Sequence, residues 1–314
     1  MQKIYQSKPD GHFSQVEEIT DGTWVSLVDP TPEEIQALAA QVGVDPDDLK
    51  APLDVEERSR ITAEHGYVLI LVDVPTTEKR GERSWFVTIP LGIIITSQAI
   101  VTVCLERIGV LADFESGRVR DMRTFMKTRF TLQLLMGIAG SYMTALRKID
   151  KLIDKTEANL RRSTRNEELV EMLELEKSLV YVSTSLVSNQ RVLERLVRTP
   201  AVKKYPEDDE LLQDTIIENE QAMEMSSIYS NILSGTMDAY ASVIANNQNA
   251  IMKTLALVTI VLSIPTMIFS AYGMNTNLDG MPLAMSQWGF AVVVGVSFVI
   301  AILVVGFFIR KKWF

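Results

Sequence analysis

Two long stretches without a charged side chain lie near the C-terminal end of the sequence, and they set the strongest limit on its fold. The first covers residues 254–272 and the second covers residues 289–309. A helix rises about 1.5 Å per residue, so each stretch can cross the roughly 30 Å hydrocarbon core of a bilayer. The sequence therefore predicts a membrane protein with two spans, joined by a short external loop at residues 276–288.

The first predicted span carries a polar stripe along one face. Alternating steps of four and three, which keep one helical face toward a partner, connect ten positions without a large branched aliphatic residue. The other faces carry Leu, Ile and Val, as lipid or packed helices require. The stripe consists of Asp238, Ser242, Ala245, Asn249, Met252, Ala256, Thr259, Ser263, Thr266 and Ser270.

Two interpretations of the stripe are open. Small polar residues let transmembrane helices pack closely and hydrogen-bond across the seam, without any transport. Alternatively, the stripe lines a pore, and each subunit contributes one face. The continuation of the stripe out of the membrane, into Asn249 and Asp238, favours the pore. Two helices cannot enclose a water-filled path, so a pore would need several copies of the chain around an axis.

Basic residues predict the orientation in the membrane. The chain ends with the basic tail 310–314 and has Lys253 just before the first span, whereas the linker contains one acid, Asp279, and no Lys or Arg. The positive-inside rule therefore places both termini in the cytoplasm, on the inner side of a plasma (inner) membrane. The first long apolar segment lies far from the N-terminus, so we expect no signal peptide.

The first span closes on Tyr272-Gly273-Met274-Asn275. Here the sequence resembles the CorA family of magnesium channels, whose signature is Gly-Met-Asn at the outer end of the first of two C-terminal spans. The resemblance covers the whole chain, closely over residues 238–314 and loosely before. Further residues that carry it are Asn249, Met252-Lys253, Pro265, Met281-Pro282, Trp288-Gly289 and the basic-aromatic C-terminus.

The resemblance implies a homopentameric, funnel-shaped channel in which the first span lines the pore. Gly273, Met274 and Asn275 would form the selectivity filter, with a ring of Asn275 receiving hydrated magnesium at the outer mouth. Mg²⁺ dehydrates reluctantly, so amide, hydroxyl and carboxylate oxygens can select it through its water shell. Glycine at position 273 would let the chain leave the helix through backbone angles that other residues resist. Met252 and a residue on the next turn would form a narrow apolar gate. The strict stripe places Ala256 at the second position, whereas the resemblance points to Leu255.

Composition narrows the range of partners and cofactors that the chain is expected to bind. The 314 residues carry a net charge of −9, which argues against nucleic acid as a partner. The single cysteine, Cys104, excludes an internal disulfide, and the histidines His12 and His65 have no cysteine at zinc-ligand spacing. The sequence contains no phosphate loop, nucleophile elbow or pair of catalytic acids, so it predicts neither an enzyme nor an organic cofactor. The expected partners are lipid, divalent cations and further copies of the chain.

Residues 1–123 predict a compact cytosolic α/β domain. Thr31 and Pro32 are residue types that cap and begin a helix, and acids follow in its first turn. A polar hairpin turn is expected over residues 76–84. Strands of a mixed or antiparallel sheet are expected at residues 24–29, 67–74, 86–95 and 99–105, which alternate or are rich in β-branched residues.

The remaining cytosolic sequence predicts helices. Residues 124–205 form an antiparallel hairpin with a turn near residues 163–166 and a returning helix at residues 167–197. A third helix follows over residues 206–275, because no proline interrupts it before Pro265. The expected architecture is therefore an α+β cytosolic domain, a long helical stalk and two C-terminal transmembrane helices.

The stalk is acidic, with no basic residue between Lys204 and Lys253. Such a run is either a solvated face or a set of magnesium ligands at subunit borders that reports the cytosolic concentration. The resemblance implies an inter-subunit regulatory metal site, and alignment from Asn249 places its stalk acid at Asp214. The acids are Glu207, Asp208, Asp209, Glu210, Asp214, Glu218, Glu220 and Glu224.

The partner of Asp214 departs from the family pattern. Lys50 and Ala51 stand where the resemblance leads us to expect acids, so Asp54, or else Glu56 or Glu57, would have to substitute. The external loop likewise has Leu283 where the family often has a glutamate after Met-Pro. Sensing of cytosolic Mg²⁺ as a regulatory ion therefore depends on a substitute acid.

Two functions from different classes follow. The first is an oligomeric channel for divalent cations, with magnesium influx gated by cytosolic magnesium. The second is a non-conducting, membrane-anchored coiled-coil scaffold or sensor, in which the stripe is only a packing seam. Within the first class, zinc, cobalt or nickel are alternative cargoes, since zinc-transporting relatives share the architecture. The intact Gly-Met-Asn and the lack of a His/Cys cluster favour magnesium.

Overall fold

The structure, a computed structural model, describes residues 1–8, 11–64, 66–80, 83–162, 166–199, 202, 206–274, 281–283 and 286–311. The chain divides into two compact units, Met1–Thr236 (unit 1) and Met237–Phe314 (unit 2). Several residues singled out in the sequence lie outside the described residues: His65, 163–165, Lys204, Asn275, Asp279 and 312–314.

Unit 1 contains a seven-stranded mixed sheet in the order β2-β1-β3-β7-β6-β5-β4. Strands β3 and β7 are parallel, and the other neighbouring pairs are antiparallel. Of the two predicted alternatives, the mixed sheet is therefore confirmed. The strands are β1 (Gln2–Ser7), β2 (Phe13–Val16), β3 (Thr23–Val28), β4 (Arg60–Ala63), β5 (Tyr67–Arg80), β6 (Arg83–Thr96) and β7 (Ala99–Cys104).

The β5–β6 hairpin is longer than predicted. Its strands pair continuously from Tyr67 opposite Thr96 to Arg80 opposite Arg83, so the predicted turn over residues 76–84 was wrong. The polar residues there include Thr76 and Thr77, which are β-branched and suit an exposed strand. Strand β4 pairs with β5 only up to Leu71, and β7 pairs with β6 only from Leu91 onward. The part of β5 after Leu71 and the part of β6 before Leu91 therefore pair only with each other, as a two-stranded ribbon.

The predicted helices are present. Helix α1 begins with the predicted cap: the Glu34 N–H donates to Thr31 Oγ1 at 3.3 Å, and the Thr31 N–H donates to the Glu34 carboxylate at 3.1 Å. The helical hairpin is formed by α4 and α5, and the long third helix is α6. The helices are α1 (Pro32–Val42), α2 (Pro46–Lys50), α3 (Gly109–Glu115), α4 (Lys127–Arg162), α5 (Asn166–Val197), α6 (Pro206–Tyr272) and α7 (Gly289–Arg310).

The core of unit 1 lies on both faces of the sheet. On one face, Leu27 of β3 joins Ile35 and Leu38 of α1 in a buried aliphatic cluster. On the other face, Trp24 packs against Phe114 of α3 and Phe130 of α4, with ring centroids 6.3 Å and 5.2 Å away. Successive strand residues point to opposite faces, so one strand supplies both layers.

Asn189 of α5 takes the place of a strand partner at the base of the ribbon. Strand β4 has ended before Asp73, and Asn189 Oδ1 accepts the Asp73 N–H at 2.9 Å while Nδ2 donates to the Asp73 carbonyl at 2.8 Å. The Tyr142 hydroxyl of α4 donates to the same carbonyl at 3.0 Å. Burial raises the pKa of the Asp73 side chain, despite hydrogen bonds from Ser185 and Ser59 that lower it. This buried polar cluster fixes both helices to the sheet.

We predict that Asn189→Ala lowers the free energy of unfolding by about 2–3 kcal/mol. The substitution leaves the Asp73 N–H unpaired and removes one of the two side-chain hydrogen bonds to the Asp73 carbonyl. Thermal unfolding of the purified chain measures the effect. The matched control is Asn159→Ala, since Asn159 is exposed on α4. Equal stability of the two variants would show that Asn189 does not anchor α5.

Candidate ion pathway

Two helices among the described residues are long and apolar enough to cross a membrane, α6 and α7. Helix α6 continues through Pro265, which has no N–H to donate to the carbonyl of Val261. The predicted first span is therefore the C-terminal part of one helix that begins at Pro206.

The polar stripe is available on the surface of unit 2. All ten stripe positions are exposed. The least exposed positions of the span in α6 are apolar and lie on a different face, at Leu257, Val261, Ile264 and Ile268, while α7 buries Gly289, Val293, Ser297 and Ala301. The less exposed face of α6 is therefore not the polar one.

Four of the five hydroxyl groups of the stripe, all except that of Ser270, share one hydrogen-bonding arrangement. Thr259 donates to the carbonyl of Leu255 at 2.9 Å, Ser263 to that of Thr259 at 2.7 Å, and Thr266 to that of Leu262 at 2.8 Å. Ser242 does the same toward Asp238 at 3.0 Å. A hydroxyl has one hydrogen and two lone pairs. Because the hydrogen is used within the helix, each oxygen presents acceptor lone pairs outward.

An open groove of about 680 Å³ follows the outer half of the stripe. It brings together Thr259, Ser263, Thr266 and Ser270 and extends to Met274 of the Gly-Met-Asn motif. The stripe residues from Asp238 to Ala256 do not line it. Sequence reasoning missed Leu262, Met267 and Ala271, which also line this groove. Leu262 and Met267 lie three or four positions from stripe residues, which was the signal that they share this surface.

The helix end at Gly273 differs from the expectation. The Gly273 N–H donates to the carbonyls of Phe269 at 2.9 Å and Ser270 at 3.2 Å, which closes α6. Gly273 does not adopt the left-handed backbone, so the predicted reason for a glycine is not the one observed. A Cβ at this position would instead lie 3.4 Å from the Phe269 carbonyl oxygen. The described structure stops at Met274, one residue before Asn275.

The loop residues that matched the family pattern hold the ends of the two spans. The Tyr272 hydroxyl donates to the Pro282 carbonyl at 2.9 Å. Leu283 has a left-handed φ of 64°, which is strained for a branched residue. Its carbonyl lies so close to Gly289 that a Cβ there would overlap it. Gly289 is thus required by this close approach.

The residues proposed for the regulatory metal site are exposed and separate within one chain. Asp214 and Asp54 are both exposed, and Asp54 Oδ1 accepts the Glu56 N–H at 3.0 Å. Glu57 is paired with Arg60. Among the described residues, no three His, Cys, Asp or Glu side chains lie close enough to hold a metal ion. A single chain therefore does not assemble this site.

The acidic run of α6 is not one uniform face. Asp208 is buried, with one carboxylate oxygen 3.9 Å from Arg129 of α4. Glu220 accepts a hydrogen bond from Gln190 of α5 at 3.0 Å. Glu207, Asp209, Glu210 and Asp214 are exposed. Part of the run therefore packs α6 against the helical hairpin, and the exposed part remains available to metal or solvent.

Fold and site together define an integral membrane transport protein with an α/β soluble unit, a long helix and two C-terminal apolar helices. The chain belongs to the CorA-like Mg²⁺ transporter protein family, whose profile matches residues 20–311. It is accordingly a transporter of Mg²⁺ or related divalent cations rather than an enzyme.

Individual relatives agree over nearly the whole chain. The cobalt/magnesium transport protein CorA of Methanocaldococcus jannaschii is 29% identical over 299 residues, which is 92% of this chain and 90% of the relative. The protein of the same name from Thermotoga maritima is 26% identical over 298 residues, which is 93% of this chain and 83% of the relative. The complete structure of the Methanocaldococcus jannaschii CorA magnesium transporter superposes with a TM-score of 0.85, at 26% identity, and covers 100% of this chain and 99% of that one.

We predict that Gly289→Ala lowers the free energy of unfolding by about 1–3 kcal/mol, because the added methyl group must displace the Leu283 carbonyl. Unfolding of the purified chain and Mg²⁺ uptake by proteoliposomes are the measurements, and both should decrease. The control is Gly295→Ala on the same helix, where a Cβ would meet no atom within 4 Å. Indistinguishable variants would contradict the close approach.

Proposed function

We propose that the chain forms a homopentameric channel in a plasma membrane and admits hydrated Mg²⁺ along the polar stripe of α6. The observation that carries this proposal is the outward acceptor surface of the stripe. The hydrogens of water molecules around a cation point away from the ion, so acceptor oxygens match its hydration shell. The stripe can then contact Mg²⁺ through water without the cost of dehydration.

The packing seam, the alternative interpretation, fits this surface less well. Polar residues that join helices do so by donating across the seam. In α6 the hydroxyl hydrogens of Thr259, Ser263 and Thr266 are already donated within the same helix. The names of the relatives, which refer to magnesium and cobalt transport, support conduction and leave cobalt as a second cargo.

Direction follows from orientation and charge. Lys253, Arg310 and Lys311 flank the inner ends of the two spans, which supports cytoplasmic termini. A negative interior drives cations inward by about 2.3 kcal/mol per charge per 100 mV, or about 4.6 kcal/mol for a divalent ion. The proposed flux is therefore influx without a coupled energy source.

The proposed ion path has three parts. Asn275, with Gly273 and Met274, forms the outer filter, where amide oxygens accept from the water shell of the ion. Farther in, the hydroxyl groups of the stripe continue the acceptor surface. At the inner end, Met252 and Leu255, which are 57% and 58% exposed in the single chain, form an apolar ring that closes by dewetting.

Proteoliposome flux with Mg²⁺, Co²⁺ and Zn²⁺ compared side by side tests the proposed function. We expect saturable Mg²⁺ uptake that increases with an interior-negative potential, similar Co²⁺ uptake and weaker Zn²⁺ uptake. A channel that carried Zn²⁺ best would support the zinc alternative. The absence of any divalent flux from a folded, membrane-inserted chain would support the scaffold.

We predict that Asn275→Ala abolishes selective Mg²⁺ uptake or broadens it to other cations, because the lost amide oxygen faces the hydration shell. Competition between Mg²⁺ and monovalent cations in proteoliposomes measures the change. Asn277→Ala, two residues away and outside the motif, is the control. Normal selective flux in Asn275→Ala would remove this residue from the filter.

Regulation is proposed at the exposed acids of unit 1. Mg²⁺ bound by Asp214 of one subunit and an acid such as Asp54 of its neighbour would offset carboxylate repulsion and favour the closed state. Loss of the ion at low cytosolic Mg²⁺ would then release the subunits. The exposure of both carboxylates supports a site that a second chain completes.

We predict that Asp214→Ala makes flux less sensitive to inhibition by cytosolic Mg²⁺, whereas Asp214→Lys keeps the channel closed because its ammonium replaces the ion. Flux at varied internal Mg²⁺ and protease protection of the stalk by Mg²⁺ are the measurements. Glu224→Ala, at another exposed acid of α6, is the control. If Mg²⁺ protects wild type and Asp214→Ala equally, this carboxylate is only solvated.

A further inference from the structure

A cavity of about 570 Å³ lies in unit 1, and no residue of the polar stripe lines it. It is formed by the outer part of the β5–β6 ribbon, the segment around the start of α3, and the middle of α4. Its volume is within the roughly 300–1,000 Å³ that is usual for small-molecule sites. Nothing in the transport of cations along α6 explains this cavity.

Two basic side chains and one acid line the cavity, and the exposed Glu106 accepts a hydrogen bond from the lining residue Thr76 at 2.6 Å. Arg107 and Lys148 both line it and are exposed. Lys148 has no ion-pair partner among the described residues of the chain. Arg107 approaches Glu115 at 3.4 Å, but Glu115 is already held by Lys3 at 3.2 Å. The one acid of the lining, Asp113, is paired with Arg118 at 3.3 Å. Lys148 is thus available to an anion, while Arg107 shares its partner Glu115 with Lys3.

A glycine in α4 marks the space that a ligand would fill. Glycine within a helix is less stable than alanine by roughly 1 kcal/mol. Gly137 has a packing reason, because a Cβ there would lie 3.2 Å from Val110 Cγ1. Gly140 has none, because its Cβ would meet no atom within 4 Å, yet it lines the cavity. The space above Gly140 is therefore open to a ligand.

Other groups in the lining of the cavity can bind the uncharged part of an organic ligand. The Ser141 hydroxyl donates to the carbonyl of Ile138 at 2.6 Å, and the Thr144 hydroxyl donates to that of Gly140 at 3.1 Å. Both oxygens therefore offer lone pairs to O–H or N–H donors. Phe86 and Ile108 add apolar surface to the lining. A simple inorganic anion would use the cations but none of these features.

We propose that this cavity binds an organic phosphate of nucleotide size, with its phosphate at Arg107 and Lys148 and its body over Gly140. Arg and Lys are common phosphate-binding side chains. Arg can donate two parallel N–H groups, and Lys provides a single positive charge. The site is independent of the ion path, since every lining residue belongs to unit 1.

Calorimetric titration of the purified full-length chain with AMP tests the proposal. EDTA is present throughout, so the result does not depend on divalent cations or on transport. We expect saturable binding of one AMP per chain, with adenosine and inorganic phosphate each at least about tenfold weaker. Lys148→Ala and Arg107→Ala should each weaken AMP binding about tenfold, as expected for the loss of a charge-assisted hydrogen bond.

Two further variants separate binding from folding. Lys155→Ala removes an exposed lysine of the same helix that does not line the cavity, and it should leave AMP affinity unchanged. Gly140→Leu should abolish AMP binding without lowering the unfolding temperature, because the new side chain occupies empty space. The proposal is overturned if AMP does not bind saturably, if it binds no more tightly than inorganic phosphate, or if Gly140→Leu and Lys148→Ala bind it like wild type.

Discussion

Within a membrane, every backbone and hydroxyl hydrogen of a helix needs a partner inside the protein, because hydrocarbon offers none. In α6 the hydroxyls of Thr259, Ser263 and Thr266 meet this need by donating to the carbonyl one turn earlier. The same bonds decide what these three hydroxyls present to their surroundings, namely oxygen lone pairs. These internal hydrogen bonds thus leave an acceptor surface that suits the hydrated cation of the proposed function.

The stripe also depends on what holds the outer ends of the two spans. Tyr272 is bonded to Pro282, and Leu283 is in a strained backbone conformation against Gly289. Such strain persists only where the surrounding structure requires it. These contacts fix the chain on both sides of the Gly-Met-Asn motif, so the loop residues beside the motif have a positioning role. In unit 1, Asn189 of α5 and Tyr142 of α4 have a comparable role, since both bind the backbone of Asp73 in the sheet.

Much of the architecture and of the stripe was predictable because their signals are local. Residues 254–272 and 289–309 are long and uncharged, and helical spacing alone identified the four hydroxyl residues that share one groove. The short strands β1, β2 and β4 were not predicted, since polar residues make up half or more of each and leave no apolar run. The length of the β5–β6 ribbon was missed because its polar residues resemble those of a turn. Nor did the sequence indicate why Gly289 is a glycine or that Asp208 is buried, since both depend on contacts with other elements.

Cysteine accessibility tests most directly whether the stripe is a water-filled path. Wild type contributes only Cys104, and burial raises the pKa of its thiol to about 12, so it remains unreactive. A membrane-impermeant methanethiosulfonate reagent is added to proteoliposomes at low Mg²⁺, where the channel is expected to be open. The account predicts that Thr259→Cys, Ser263→Cys and Thr266→Cys react and lose Mg²⁺ flux, while Ile260→Cys and Phe269→Cys do neither. Reaction of the two sets at equal rates, or intact flux with an unreactive stripe, would contradict it.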